Sequence, residues 1–118
     1  MIRRGAIHLI DFEPARAGSE ASKIRPAVIV SNDAANRAAL RLRRGVVTVC
    51  PITSNVSRVL PFQVLLPATE ASGLDVDSKA QAEQVRAIDI RYVGVRVGAM
   101  SSAEMQALDN ALRLHLAL

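Results

Sequence analysis

The chain has 118 residues, of which 50% are hydrophobic and 22% charged, and its formal net charge is +4. This composition excludes an intrinsically disordered chain, and every apolar run is far shorter than the roughly 20 residues of a membrane-spanning helix. We therefore expect one soluble domain that covers residues 1–118 and does not enter a membrane.

The positive charge is concentrated in the first half of the chain. Residues 1–60 contain ten Lys or Arg against four Asp or Glu, a net charge of +6, whereas residues 61–118 contain five against seven, a net charge of −2. A basic surface of this kind attracts polyanions, so nucleic acid is a candidate partner.

Neither the N-terminus nor the cysteine content indicates export. The apolar stretch after residue 5 is interrupted by His8, Asp11 and Glu13, so it lacks the core of a signal peptide. Cys50 is the only cysteine, which excludes an internal disulfide and a zinc site built from cysteines. We expect a cytoplasmic protein in which Cys50 is buried.

The first half of the chain predicts three strands and one helix. The strands alternate between polar and apolar residues or are β-branched, and the helix follows a capping residue and contains no breaker. In chain order these are a strand at 5–12, a strand at 28–30, a helix at 34–40 capped by Asn32 or Asp33, and a strand at 46–52. Because Pro51 has no N–H to donate, we expect the last strand to leave its ladder or reach an edge there.

The second half predicts further strands and a terminal helix. Residues 78–88 alternate with one slip between Ala82 and Val85, which indicates a bulge. Ser101 and Glu104 form a capping-box pattern ahead of an amphipathic helix at 102–116. The other elements are a strand at 62–66, a turn at 71–75, a helical turn at 89–92 and a strand at 93–97. The fold class is therefore mainly β with helices (α+β), a small barrel or curled sheet with a C-terminal amphipathic helix.

The chemically useful side chains lie at the ends of the predicted strands. Gly18 lets the first loop turn, and Pro26 biases Arg25 toward extended geometry at the start of a strand. A guanidinium holds a phosphate in bidentate fashion, and a hydroxyl donates a further bond. The remaining members of this set are Glu20 in the first loop, Thr53, Ser54 and Asn55 after the third strand, and Gln81, Glu83, Gln84 and Arg86 later in the chain.

Several kinds of site lack their basic parts in this sequence. The chain has no phosphate-binding P-loop, no dinucleotide-binding glycine motif, no zinc-protease motif and no nucleophile elbow. Its two histidines, His8 in a predicted core strand and His115 on the terminal helix, fit packing roles better than catalysis. We expect neither a metal site nor a cofactor.

Five segments in this order resemble the MazF/PemK toxins of bacterial toxin–antitoxin modules. The similarity extends over nearly the whole chain and includes the final leucine-rich helix. The segments are Met1–Gly5 with the strand that follows, Gly18–Glu20, Lys23–Ser31, Pro51–Asn55 and Ala82–Arg86.

The resemblance implies an SH3-like barrel of the CcdB/PemK type that forms a homodimer. It also implies metal-independent, sequence-specific cleavage of single-stranded RNA to a 2′,3′-cyclic phosphate and a 5′-hydroxyl, and an acidic, partly disordered MazE-like antitoxin as partner. The implied catalytic residues are Arg25 and Thr53, and the implied RNA-contacting residues are Glu20, Ser54, Glu83 and Gln84.

The implied reaction sets three chemical tasks for the site. When a 2′-hydroxyl attacks the adjacent phosphorus, the site must remove a proton, stabilise the charge on the phosphate and protonate the leaving 5′-oxygen. Arg25 suits charge stabilisation because a guanidinium stays charged at neutral pH, and Thr53 suits donation to a non-bridging oxygen. For the general base, Glu20 and Arg25 itself remain alternatives.

Specificity should come mainly from hydrogen bonds to base edges, because the three aromatic residues Phe12, Phe62 and Tyr92 offer little stacking surface. Outside the scissile step, the candidates for phosphate contact are Arg41, Arg43, Arg44 and Arg58, for which a solvated loop is the alternative.

Two rival functions remain. A CcdB-like toxin that binds gyrase without nuclease activity shares a related barrel, but its C-terminal helix carries a tryptophan and this chain has none. The second rival is a non-catalytic RNA- or peptide-binding barrel, in which Arg25 and Thr53 only frame a pocket.

Overall fold

An antiparallel sheet forms the body of the protein in the computed structural model, which describes residues 1–13 and 23–118. Seven strands and two α-helices lie in these described ranges. In chain order they are β1 (Ala6–Asp11), β2 (Ile24–Ile29), α1 (Asp33–Leu42), β3 (Val46–Thr53), β4 (Gln63–Leu66), β5 (Ser78–Gln81), β6 (Arg86–Asp89), β7 (Val93–Ala99) and α2 (Ser102–Leu116). The mainly β prediction with a C-terminal helix is confirmed.

Strand β3 organises the sheet because it pairs with three other strands. The strand order is β4-β5-β3-β2-β1-β7, and β6 also pairs with β3. On one edge the first half of β3 pairs with β6 and its last two residues pair with β5. On the other edge β3 pairs with β2, with Ala27 opposite Pro51 and Ile29 opposite Val49.

Pro51 does not remove β3 from the sheet, which corrects the sequence expectation. It stays in the ladder with β2, where it faces Ala27. On the other edge it lies between the two ladders, since pairing with β6 ends at Val49 and pairing with β5 begins at Ile52. The proline thus stands where β3 changes partner, a place where a missing N–H costs little.

A 3₁₀ turn replaces the predicted bulge in residues 78–88. The long strand is divided into β5 and β6 by the turn Ala82–Gln84, whose Ala82 is fully buried. The slip in the sequence pattern corresponds to a break between β5 and β6. It is not caused by an extra residue within a single strand. The helical turn predicted at 89–92 is confirmed as a second 3₁₀ turn, Ile90–Tyr92.

Both faces of the sheet carry buried side chains. One core cluster joins Val28 and Cys50 of the sheet to Leu108 of α2. The other joins Ile29 and Val49 to Ala39 of α1. Because neighbouring residues of a strand point to opposite faces, β2 and β3 each supply both clusters.

The curled sheet is closed by a loop instead of by a strand. Edge strands β4 and β7 are not paired with each other in the described chain, so the strands alone form no closed barrel. The loop after β4 instead lies on β7, where the Ala99 amide donates to Ala71 O at 2.9 Å. A Cβ on Gly73 would collide with Val97 O, and one on Gly98 with Ser72 O. The two glycines therefore permit the close approach that completes the curl.

The helices begin and end much as their sequences predict. The Asn32 side chain accepts a bond from the Ala35 amide at the start of α1. At the start of α2, Ser101 and Glu104 form the predicted capping box. Within residues 1–13 and 23–118, neither helix has the length and apolar character needed to cross a membrane.

Candidate active site at the ends of β2 and β3

The pairing of β2 with β3 brings Arg25 and Thr53 together. Ala27 faces Pro51 in this ladder, and continuing the same register by two residues sets Arg25 opposite Thr53. Both residues then lie on one face of the sheet, since side chains two apart share a face. Arg25 and Thr53 are 28 residues apart in the sequence, and both line one cavity.

Two cavities meet at Arg25. The first cavity has a volume of about 610 Å³ and is lined by Arg25, Thr53 and Ser54, with Leu74 and Asp75 of the closing loop among its other walls. The second cavity, of about 320 Å³, is lined by residues from four parts of the chain: Phe12, Glu13, Lys23, Arg25, Pro51, Gln81, Gln84 and Arg86. An extended ligand whose centre contacts Arg25 therefore has room on both sides.

The hydroxyl of Thr53 is held by the turn that follows β3. Its oxygen accepts a hydrogen bond from the Asn55 amide at 3.2 Å, and Asn55 Oδ1 accepts one from the Ser57 hydroxyl at 2.8 Å. Because a hydroxyl both accepts and donates, Thr53 still has its proton to offer to a ligand. Ser54 is exposed beside it. The predicted polar tip is thus a structured turn that fixes Thr53.

Positive charge predominates in the second cavity among the described residues. Lys23 and Arg86 line it with Arg25, and the carboxylate on that wall, Glu13, lies 3.5 Å from Lys23. Arg25 is exposed, and within residues 1–13 and 23–118 it forms no salt bridge. The guanidinium of Arg86 lies 5.2 Å from the centroid of Phe12, which orients it over the ring. This surface suits an anionic ligand.

Glu83 and Gln84 occupy different environments despite being neighbours. Gln84 is exposed and lines the second cavity. Glu83 is half-buried and accepts a hydrogen bond from Gln63 Nε2 at 2.6 Å, and it lines neither of the two cavities. Gln84 therefore shares a cavity with Arg25, whereas Glu83 does not. Glu20, the other predicted RNA contact, lies outside the described residues.

Sequence reasoning missed the wall formed by the closing loop. Asp75 and Val76 line the first cavity because the loop lies on β7, and no local motif marks them. Phe12 was noted only as one of few aromatic residues, yet it lies next to Arg86 in the second cavity. Its position at the end of β1, beside the start of β2, was the one available indication.

The remaining candidates for chemistry are buried or lie elsewhere. His8 is buried, and its Nδ1 lies 2.9 Å from Gly94 O. Cys50 is fully buried, and burial raises the pKa of its thiol to about 12, as expected for an inert cysteine. His115 lies against Phe62, with 6.4 Å between ring centroids. His8 and Cys50 thus have buried surroundings, whereas His115 is exposed beside Phe62.

Comparison with known proteins assigns the chain to a family. Residues 3–116 match the model of the PemK-like, MazF-like toxins of type II toxin–antitoxin systems. Endoribonuclease MazF9 of Mycobacterium tuberculosis (strain ATCC 25618 / H37Rv) is 58% identical over 118 residues, which cover 100% of this chain and 98% of that relative.

Solved structures agree with this assignment at the level of the fold. MazF from Deinococcus radiodurans superposes with a TM-score of 0.74 at 25% identity, over 98% of this chain and 96% of that one. A mycobacterial endoribonuclease in complex with its cognate antitoxin gives a TM-score of 0.77 at 22% identity, over 100% and 97% of the two chains. Sequence motifs, fold and family model agree, and the chain belongs to the PemK-like, MazF-like toxins of type II toxin–antitoxin systems.

Proposed function

We propose that this MazF-like endoribonuclease toxin cleaves single-stranded RNA at a phosphate bound between Arg25 and Thr53, without a metal ion or cofactor. The cut is sequence-specific, it leaves a 2′,3′-cyclic phosphate and a 5′-hydroxyl, and its cellular effect is to inhibit translation and growth. Residues 1–118 act as one toxin domain in this proposal.

The observation that carries the proposal is the shared cavity of Arg25 and Thr53. A phosphate has two non-bridging oxygens, and the pair offers a guanidinium fork and a hydroxyl donor from one face of the sheet. The cavities on either side of Arg25 give the chain of nucleotides a path through the site.

Arg25 and Thr53 have separate roles in the proposed step. The 2′-oxygen forms a bond to phosphorus while the bond from phosphorus to the 5′-oxygen breaks, and negative charge increases on the non-bridging oxygens. Arg25 stabilises that charge, helped by the field of Lys23 and Arg86. Thr53, held by the Asn55 amide, donates to a non-bridging oxygen.

The proton from the 2′-hydroxyl must pass to a base, and the leaving 5′-oxygen must receive one. Glu20 is our candidate base, with Arg25 as the alternative. Ser54 and Gln84 are the proposed RNA contacts that line the cavities. Glu83 is also a proposed RNA contact, although its carboxylate accepts a hydrogen bond from Gln63.

The proposed partners follow from the family and from the charge of the surface. An acidic MazE-like antitoxin tail would fold over the basic groove and exclude RNA. The structural neighbour solved in complex with its cognate antitoxin supports an antitoxin as a partner. We further propose that the toxin is a homodimer and acts in the cytoplasm, where its RNA substrate is found.

The first prediction tests the two catalytic assignments. The pure protein is incubated with a long RNA in EDTA, and the cut ends are mapped by primer extension. We expect discrete cuts, and a loss of cleavage rate of about 10²- to 10³-fold in Arg25→Ala and in Thr53→Ala, because each change removes a donor to the developing charge.

Two conservative variants serve as matched controls. Arg25→Lys keeps the charge but loses the planar fork, so it should recover only part of the rate. Thr53→Ser keeps the hydroxyl and should recover most of it. Since Arg25 is exposed, Arg25→Ala should keep its melting temperature within a few degrees. Intact RNA with the wild-type protein would refute the nuclease and favour one of the non-catalytic rivals.

A further inference from the structure

Apart from Arg3, Arg4 and Arg25, the exposed arginines of residues 1–13 and 23–60 lie in two separate places. Arg58 follows β3 on the side of Thr53, and its carbonyl accepts a bond from Lys79 Nζ at 2.5 Å. The other group, which we call the distal patch, consists of Arg37, Arg41, Arg43 and Arg44 at the C-terminal part of α1 and the turn after it. All four side chains of the distal patch are exposed.

The distal patch lies at the far end of β3 from the active site. It immediately precedes Val46, where β3 begins, whereas Thr53 ends the strand. Seven steps of an extended strand span roughly 23 Å. At about 3.4 Å per stacked nucleotide, that distance corresponds to about seven nucleotides. The patch therefore cannot contact the cleaved phosphate, but it is within reach of the same RNA molecule.

Within the described part of the chain, the charge of the distal patch is not balanced by salt bridges. Residues 34–69 contain no Asp or Glu. Among the salt bridges of residues 1–13 and 23–118, none involves an arginine of the patch. Asp33, at the start of α1, is the carboxylate that interacts with Arg37, and it already accepts a hydrogen bond from the Arg4 amide at 2.7 Å.

Local folding accounts for only part of these four arginines. A cation at a helix C-terminus is favoured by the helix dipole, which explains Arg41. Arg37 and Arg41 are four residues apart, however, and like charges at that spacing destabilise a helix. Arg43 has a φ of 49°, a left-handed conformation in which glycine or asparagine is usual. That preference comes from the absence of a Cβ in glycine, so the backbone conformation of Arg43 is one that local folding does not favour for arginine.

We propose that the distal patch is a second RNA-binding surface, which holds the substrate by its phosphates about seven nucleotides from the cleaved bond. The inference rests on the proposed function, because it takes the RNA in the active site as the same molecule. Unpaired arginine charge favours a polyphosphate over a neutral peptide. Leu42 and Val46 are exposed beside the patch, so an antitoxin peptide is the competing occupant.

The test compares two RNAs and two variants. The short RNA carries the cleavage site with about three nucleotides on either side, and the long RNA has about 15 on either side. Arg41→Gln/Arg44→Gln removes two charges from the patch. Arg96→Gln/Arg113→Gln removes the same charge from exposed positions on β7 and α2 and is the matched control.

We expect kcat/KM of the patch variant to fall several-fold on the long RNA and to stay unchanged on the short one. Binding of a non-cleavable long RNA should lose about 1.4 from the slope of its logarithmic salt dependence, since each phosphate contact contributes about 0.7 for a single strand. Between about 50 and 200 mM salt, the wild type should then lose about sevenfold more affinity than the variant. The control variant should show no change that depends on RNA length.

Three outcomes would refute either the proposed function or the second RNA-binding surface. If the wild type leaves both RNAs intact, the proposed function fails. If the wild type cleaves and the patch variant affects both RNAs equally or neither, the second surface is excluded. If the variant weakens binding of the antitoxin tail but not of the long RNA, the patch belongs to the antitoxin and our inference is wrong.

Discussion

Several buried polar side chains in this protein are held by specific partners. The Asn36 side chain donates to Ser31 O at 2.9 Å, and Gln63 donates to Glu83. His8 is a buried histidine, and burial lowers its pKa below the ordinary 6.5. With Nδ1 bonded to Gly94 O, its Nε2 has no partner among the described residues. A proton added at Nε2 would thus bury a charge without an acceptor.

The second prediction is a pH dependence of stability caused by His8. The unfolded chain takes up a proton as the pH falls through about 6.5, while the native state resists until its own lower pKa. The free energy of unfolding should therefore fall as the pH falls within that window, with a slope of at most about 1.4 kcal/mol per pH unit.

Urea denaturation of the wild type and of His8→Gln between about pH 5 and 8 measures this effect. The variant should be less stable at pH 8, but its stability should change less between pH 6.5 and 5. Parallel pH profiles of the two proteins would show that His8 does not contribute the predicted proton uptake.

At the scale of elements, the helix caps and the change of partner along β3 decide where the chain turns. The capping box of α2 satisfies the Glu104 amide through the Ser101 hydroxyl at 3.1 Å, and the Ser101 amide through Glu104 Oε1 at 2.8 Å. It thus fixes the start of the helix that supplies Leu108 to the core. In β3, Pro51 marks the point where the strand changes partner, because it lies between the ladders with β6 and β5.

The third prediction concerns this cap. Ser101→Ala should lower the free energy of unfolding by about 1 kcal/mol. The Glu104 amide loses the Ser101 hydroxyl as its acceptor, and the reciprocal bond from the Ser101 amide to Glu104 Oε1 is weakened. In a protein of this size the melting temperature should fall by about 4 °C. Ser102→Ala is the matched control, because Ser102 is exposed at the first helical position. Equal melting temperatures of the two variants would contradict the capping role.

At the scale of the whole molecule, the contact between the closing loop and β7 has two effects. That contact completes the curl of the sheet and also forms one wall of the first cavity, through Leu74 and Asp75. The same loop therefore contributes to both the fold and the candidate active site, although Gly98 itself is not part of the cavity wall.

The fourth prediction uses Gly98→Ala to test that coupling. The new methyl group would collide with the Ser72 carbonyl, which is backbone and cannot rotate away. We expect a loss of stability of about 2 kcal/mol or more and a melting temperature lower by roughly 8 °C. At temperatures where the variant is still folded, its RNA cleavage should also be reduced. Val95→Ala, at an exposed position of β7, should change neither.

Local features of the sequence were sufficient to predict most elements. Alternation, β-branched runs and caps identified β1, β4, α1 and α2, since these patterns depend on neighbours within a few residues. They failed at the turn Ala82–Gln84, where a slip in period has the same appearance whether it is a bulge or a break between strands. No local feature of the sequence indicated the order of the strands in the sheet.

By itself, the sequence determined the family, the type of each main element and the identity of the residues proposed for catalysis, because motifs and periodicity are properties of short segments. The tertiary structure decided which of those residues meet. The pairing of β2 with β3 lets Arg25 and Thr53 line one cavity, the Glu83 carboxylate accepts a hydrogen bond from Gln63, and the length of β3 separates the distal patch from Arg58. These relations come from pairing between distant segments, and a single sequence does not record that pairing in any local pattern.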